Sequence, residues 1–499
     1  MLFNQWIDIN MQLQFNIPEI QNHPEKPTER QFDQSSVVVI LCNDLKQLQD
    51  IPYEDVLQWR IKAEDAFSGD KIVWPSILPN KRATTVMVCQ LSDSTTAFDF
   101  TEQLSKALKK RESLTGEVTI VDFMPTQNFL KLSLRTVLAH NAQMPCFKST
   151  SSTEKRIEYI GCYNTESLSF DEVLASHCGN ALARYLTILP TNHLTPKIYV
   201  DEVKTLAKSE DWDFSFYDTK KLQKCGAGAF LAVARASESA GIVKLTYTSE
   251  ASTEQKTMKC LALVGKGVCF DTGGVSLKAP EYMYGMHEDM EGSAVALGTF
   301  LMLSRLKVSY DMECWLAIVD NRIDSQAFLP NEVITTVNGT TIEIVDTDAE
   351  GRLILADTLA LASESKPDLM LDYATLTGAS LRAVGTRYAT VFTNQDDWLV
   401  DLIHSGTTSG ERVWPMPMTD DYLEDIKSDV ADIKQCNVSG PSDHIHAAKL
   451  LQKFVANETK WVHVDMAASC HKGGLGAVPT DFTGFGVWFT LDLLKQLKF

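Results

Sequence analysis

Short apolar runs, each about long enough for one buried strand, alternate along this chain with longer stretches in which apolar residues return every three or four positions. That alternation leaves few architectures open. The runs at 37–41, 85–89, 118–123 and 157–162 read as strands of a first unit, with 98–110 as an amphipathic helix carrying Leu104, Ala107 and Leu108 on one face. Farther on, strands are expected at 243–246, 260–264, 314–319, 369–372 and 462–464, and helices near 292–306, 352–363, 442–456 and 487–497. Strands that alternate with helices build a largely parallel sheet covered on both faces. Asn338-Gly339, between the runs 333–337 and 341–345, predicts one tight hairpin, so some antiparallel pairing is expected as well. The expected fold class is therefore α/β, with an N-terminal α/β domain over 1–170, a connecting helix over 171–188 and a C-terminal α/β domain with a mixed, largely parallel sheet over 189–499. A chain of 499 residues with 44% apolar content can bury cores of that size. The polar stretch 148–155 reads as a surface loop, and no internal repeat is visible.

Against this scaffold three segments carry unusual chemistry. The turn at 345–353 places Asp346, Asp348, Glu350 and Arg352 within seven residues, directly before a helical run. Carboxylates so close together repel one another and stay ionised only beside a base, solvent or a metal ion. The plainer alternative is a helix cap, with Asp348 near the N-cap and Glu350 in the first turn. Upstream, the strand at 261–264 runs into a stretch with glycines at 265, 267, 273 and 274, which lets the backbone approach a ligand or turn sharply, so that Lys266, Asp271 and Lys278 converge. The spacing of a phosphate-binding P-loop is absent from it. The third segment, Met286-His287-Glu288-Asp289-Met290-Glu291-Gly292, is a second acidic cluster ahead of a helix.

Together these segments resemble the leucyl aminopeptidase, or cytosol aminopeptidase, family of dinuclear zinc exopeptidases. The family signature Asn-Thr-Asp-Ala-Glu-Gly-Arg-Leu is matched from 346 to 353 with only its first residue changed, to Asp346. Lys266, Asp271, Lys278 and Asp289 fall at the family's spacing. Similar blocks lie at 189–196, 224–233, 374–379, 411–414, 461–465 and 483–486, whereas the first ~170 residues carry none, as expected for the family's variable N-terminal domain.

The resemblance implies a catalytic C-terminal domain holding two divalent ions per chain, Zn2+ or Mn2+, with Asp271 and Glu350 shared, Lys266 and Asp289 completing one site and Asp348 the other. An oxygen-rich donor set without His or Cys accepts either metal, and a lysine ligand has to be neutral. Lys278 is implied to polarise the scissile carbonyl, and Arg352 to hold a bicarbonate serving as general base. Met286, Thr375, Gly378 and Ala467, with Cys470, correspond to the side-chain pocket of the substrate. The implied activity is hydrolysis of N-terminal residues, leucine and other uncharged ones, from peptides with a free amino terminus, in a homohexamer. His463 and Asp465 share a strand face, where a structural histidine is expected, and His444 and His446 belong to a helix start. Glu291 stands where the family has a glycine that packs closely near a ligand; its expected place is the first turn of the helix, narrowing the site without ligating metal. A catalytically silent relative is the competing reading; a two-metal phosphoesterase would use more histidine.

Composition limits the setting. A net charge of -19 opposes binding to nucleic acid. The eleven cysteines, an odd number, form no CxxC pair, which argues against a disulfide framework and a cysteine zinc site. Residues 1–8 lack the pattern of a secretion signal and no run of eighteen apolar residues occurs, so a cytoplasmic protein without membrane partners is expected.

Overall fold

The computed structural model describes residues 15–110, 114–149, 156–250, 259–437, 440–456 and 458–499. The segment 1–8 and most of the loop expected at 148–155 lie outside these residues.

Period-2 burial builds the first sheet. Val37, Val39 and Leu41 face a core shared with Phe100, Leu104, Leu130 and Leu134, while Val38 and Ile40 face another shared with Phe32, Leu57 and Ile61. Six strands result, ordered Glu19–His23, Ile157–Tyr163, Gly116–Asp122, Ser35–Cys42, Thr85–Gln90 and Val73–Ile77, parallel except for the last pair. The helix expected at 98–110 runs Ala97–Lys109, with Thr96 capping it through the Asp99 amide.

The second sheet has eight strands. Its centre is four parallel strands in the order Lys460–Asp465, Leu369–Ala374, Cys260–Asp271 and Asp311–Asn321. Ala389–Thr393 on one side, and Gly241–Tyr247 then Asp213–Asp218 on the other, pair antiparallel, and Val413–Pro415 closes the far edge. Leu261 and Leu263 pack beneath the helix Glu291–Arg305, whereas Ala262 and Val264 meet Leu353 and Leu355 of the helix Gly351–Ser363 on the opposite face. This is the mixed, largely parallel α/β architecture, and the carboxyl ends of the four central strands lie along one edge, where ligands collect in open sheets.

Three expectations need correcting. The strand expected at 260–264 continues to Asp271, with Lys266 in register with Ala317. Gly265 and Gly267 remain inside the ladder and make no turn; a Cβ on Gly265 would fall 2.4 Å from Ser293 Cα, so the missing side chain admits the amino end of Glu291–Arg305. The turn comes later, at Gly273 and Gly274, with φ of +85° and +64°. The hairpin pairs Val333–Thr335 with Thr341–Glu343, shorter than expected, because Asp357 takes the Val337 amide and Asn338 Oδ1 takes the Thr340 amide. The helix expected at 442–456 stops at Gln452, and Phe454 and Val455 are buried in the turns beyond it.

The helix Asp171–Ile188 crosses Glu291–Arg305 at two glycines, where a Cβ on Gly179 would lie 2.4 Å from the Gly298 carbonyl oxygen. All eleven cysteines are free thiols. Among the described residues no helix is long and apolar enough to cross a membrane.

Candidate active site

The strand Cys260–Asp271 delivers Lys266 and Asp271 to the carboxyl edge of the sheet. A one-turn helix, Met286–Met290, brings Asp289, and the turn at 345–350 brings Asp348 and Glu350. Those turns are pinned to one another. Thr347 Oγ1 donates to the Gly273 carbonyl at 2.7 Å and accepts from the Ser276 amide at 2.7 Å. Asn321 Nδ2 donates to Asp271 Oδ1 at 2.8 Å, to the Thr347 carbonyl at 3.0 Å and to Glu350 Oε2 at 3.3 Å. Gln435 accepts from the Val345 and Asp346 amides and donates to the Ala349 carbonyl. Sequence reasoning missed all three; Asn321, at a strand end beside the Lys266 strand, carried the only usable signal.

Two lysines thread the carboxylates. Lys266 Nζ lies 2.8 Å from Asp289 Oδ1 and 3.0 Å from Glu350 Oε1, and donates to the Thr375 carbonyl at 2.9 Å. Lys278 Nζ lies 2.9 Å from Asp271 Oδ2 and 2.6 Å from Asp348 Oδ1. A Cβ on Gly351, the first residue of the helix, would fall 2.8 Å from Lys266 Nζ, so a side chain there would press on the lysine's amino group. Burial alone would pull both ammonium groups down, but Asp289 and Glu350 around Lys266, and Asp271 and Glu350 around Lys278, outweigh it and raise both. On the acid side, burial and then Asp271 push Asp348 up to about 7 and raise Glu350, and burial raises Asp289 well above the carboxylate range against the pull of Lys266.

The acidic turn is therefore no helix cap. Glu350 occupies the N-cap position of Gly351–Ser363 without a side-chain cap bond, and Asp348 turns to Lys278. Four carboxylates share two ammonium groups, and Asp271, Asp348 and Glu350 each offer an oxygen within 4.8 Å of the others. Asp289 Oδ2 is buried without a hydrogen-bond partner among the described residues. An excess of buried carboxylate oxygen over cation, one oxygen left unpaired, fits hard divalent cations.

A cavity of about 770 Å3 opens over this cluster, and it is lined by every site residue expected from the sequence, including Lys278, Met286, Arg352, Thr375, Gly378, Ala467 and Cys470. Its wall also includes Glu288, Tyr282 and Asp443, which sequence reasoning did not single out. Glu288 is hydrogen-bonded to Cys470, whose thiol is pushed up to about 12 by burial first and then by Glu288.

One expectation about this region changes. Glu291 is the first residue of its helix, as expected, but it does not narrow the cavity: it is fully buried behind the wall, with Oε1 accepting from the Gly484 amide at 3.2 Å. The close packing falls on Gly292, where a Cβ would lie 2.2 Å from the Tyr373 carbonyl oxygen. Arg352, where a bicarbonate is expected, is engaged by the chain on one edge of its guanidinium, and its Nε has no hydrogen-bond partner among the described residues. Its Nη1 and Nη2 donate to Asp443 Oδ1 and Oδ2 at 2.9 and 2.8 Å, and Nη1 also reaches the Gln435 carbonyl at 3.1 Å. His463 is structural: Nδ1 meets Asp372 Oδ1 at 2.6 Å in full burial, while Asp465 accepts from Thr377 Oγ1 at 2.7 Å. His444 and His446 stand in the first turn of Asp443–Gln452.

An open α/β sheet with a buried cluster of carboxylates and lysines at the carboxyl ends of its parallel strands is here the framework of a peptidase, a hydrolase class to which comparison with known proteins leads. Residues 181–491 match the model of the catalytic domain of the cytosol aminopeptidase family, and the chain belongs to that family. It is 33% identical over 442 residues to a probable cytosol aminopeptidase of Chlorobaculum tepidum, covering 83% of this chain and 87% of that protein. With a probable cytosol aminopeptidase of Chlorobaculum parvum it shares 40% over 326 residues, 65% of this chain and 64% of that protein. Among solved structures, leucyl aminopeptidase from Trypanosoma cruzi superposes with a TM-score of 0.80 at 25% identity, covering 98% of both chains. Leucyl aminopeptidase from Leishmania major, solved with actinonin, shares the fold with a TM-score of 0.81 at 22% identity, covering 98% of this chain and 96% of that one.

Proposed function

We propose that this protein is a metal-dependent aminopeptidase that hydrolyses N-terminal residues, leucine and other uncharged ones, from peptides with a free amino terminus. The observation that carries the reading is one buried cluster, Lys266, Asp271, Asp289, Asp348 and Glu350, with Lys278 beside it, opening into a cavity large enough for a peptide end. Asp271 and Glu350 would be shared by two divalent cations, Zn2+ or Mn2+, with Lys266 and Asp289 on one and Asp348 on the other. Bound there, such ions supply Lewis acidity at the carbonyl and lower the pKa of water.

The chain's own residues do the rest. Asn321 fixes the relative placement of Asp271 and Glu350, and Thr375 Oγ1, donating to Asp289 Oδ1 at 2.7 Å, fixes the third carboxylate. Lys278 keeps its charge among carboxylates and faces the cavity, where an ammonium stabilises the negative charge that develops on a carbonyl oxygen under attack. Met286, Thr375, Gly378 and Ala467 form the wall met by the first side chain of the substrate. Glu288 in the same wall opposes an acidic side chain there.

The same reading takes 1–170 as the N-terminal domain, 171–188 as a connecting helix and 189–499 as the catalytic domain, in a cytoplasmic homohexamer without nucleic-acid or membrane partners. One experiment tests its core. Exhaustive chelation abolishes hydrolysis of a leucyl anilide, Zn2+ or Mn2+ restores it, and neither N-acetyl-leucyl nor aspartyl substrate is turned over comparably. Equal rates on the acetylated substrate would exclude an exopeptidase, and an inactive protein with both metals bound would make the chain a silent relative.

A further inference from the structure

One carboxylate in the wall of the cavity has no cation of its own. Glu288 is half-buried, lines the cavity together with Met286 and Ala467, and is hydrogen-bonded to Cys470 of the same wall. No ion pair reaches it among the described residues, whereas Asp271, Asp289, Asp348 and Glu350 all share Lys266 or Lys278. The charges that act most strongly on the Cys470 thiol are all negative: Glu288, Glu291 behind the wall, and Asp481. This side of the cavity is thus acidic, and the two lysines of the cluster are committed elsewhere. A charge held partly away from water needs a partner, so such a wall favours a cation brought from outside. A metal ion does not suit it, because among the described residues only Asp271, Asp348 and Glu350 bring three donor groups together. Arg382 also reaches the cavity without an acidic partner among the described residues, but it is exposed beside Gly378, where solvent and salt screen it.

We propose that Glu288 makes the pocket for the first side chain accept a basic residue, so that peptides beginning with lysine or arginine are substrates beside those beginning with uncharged residues. The proposal rests on the aminopeptidase reading, which sets the first side chain of the substrate against Met286 and Ala467. Lysine and arginine are amphipathic: the aliphatic stem packs on apolar groups while the charged head reaches past them. Met286 meets the stem, and Glu288, two residues farther along the same one-turn helix, receives the head. The Cys470 thiol donates to that carboxylate and steadies it. A carboxylate has about four acceptor sites, so this bond leaves room for an ammonium or a guanidinium. An uncharged side chain leaves Glu288 to solvent, as in the free protein, and is tolerated.

The test measures kcat/KM of the full metal-loaded chain on anilides of lysine, arginine, leucine and norleucine at fixed pH. Norleucine keeps the unbranched stem of lysine without the ammonium. For the wild type, lysyl anilide is hydrolysed at least as efficiently as norleucyl anilide, and added salt raises KM for the lysyl substrate more than for the norleucyl one. Glu288→Gln keeps the shape and removes the charge, and it lowers the lysyl-to-norleucyl ratio by about tenfold or more, chiefly through KM. A ratio that Glu288→Gln leaves unchanged overturns the proposal, as does a wild type that hydrolyses norleucyl but not lysyl anilide; the aminopeptidase reading survives both results. If Glu288→Gln does not fold, the wild-type ratio and its salt dependence decide alone. If the wild type hydrolyses nothing, the aminopeptidase reading falls and binding decides. Lysine hydroxamate then raises the melting temperature of the metal-loaded protein more than norleucine hydroxamate does, and Glu288→Gln removes the difference. Equal stabilisation of the wild type by the two hydroxamates overturns the proposal.

Discussion

Lys278 and Asp271 touch at 2.9 Å, yet the two side chains belong to different functions in the proposed reaction. Asp271→Ala or Glu350→Ala removes an oxygen donor from the heart of the cluster, so metal content measured by elemental analysis drops together with activity. Lys278→Ala removes only a cation, so it keeps both metals and loses mainly kcat. Metal loss in Lys278→Ala would show that the lysine is structural. A second residue-scale prediction concerns Asp122, far from the cluster. Burial raises its pKa from 3.8 to about 6, against the Met124 amide that pulls it down. The folded state then holds a proton that the unfolded state releases, so stability falls as pH rises from 3.8 to about 6 and stays lower above that. Asp122→Asn removes this slope and, by unfolding titrations, is more stable than the wild type by at most about 2–3 kcal/mol at neutral pH, with no gain in acid. A gain that persists at low pH would show that packing, not ionisation, is responsible. At this scale the sequence exposed the clustered acids and Lys266, because they lie close along the chain. It did not expose Asp443, 91 residues from Arg352, or Asn321, 50 residues from Asp271, since nothing local marks such pairs.

Helices and strands here are positioned by small residues as much as by apolar ones. The helix Glu291–Arg305 is buried almost all round, so its contacts are set by Gly292 against Tyr373 and Gly298 against Gly179. Gly298→Ala would bring a methyl group 2.3 Å from the Gly179 carbonyl oxygen. The helices must separate, which lowers the unfolding free energy by about 1–3 kcal/mol in denaturant titrations. An unchanged midpoint would mean that the crossing is looser than the geometry indicates. Because the amino end of this helix adjoins Asp289, the same reasoning explains why Glu291 is tolerated: the tight approach belongs to its neighbour Gly292. Periodicity revealed these helices and the central strands. It under-measured the strand Cys260–Asp271, since glycines that signal a turn in isolation serve here as clearance for a packed helix.

For the molecule as a whole, the proposed reading of four carboxylates and two lysines gathered in one cavity predicts that stability depends on bound cations. Ligands that bind only the folded state stabilise it by mass action. Chelated protein therefore melts at a lower temperature than protein loaded with Zn2+ or Mn2+, and the Asp271→Ala variant shows no such difference in a calorimetric scan. A metal-independent melting temperature in the wild type would exclude tight binding at the cluster.

What the sequence determined by itself is the alternation that dictates an α/β sheet and the three short segments that supply the charged groups, because strand and helix periods and turn chemistry act within a few residues. Only the tertiary structure decided which strands stand side by side, that the cluster's acids share two lysines, that Glu291 lies behind the cavity and that Asp443 closes on Arg352. Those outcomes depend on crossovers and on close packing between segments tens to hundreds of residues apart, and a linear pattern holds no record of such distances.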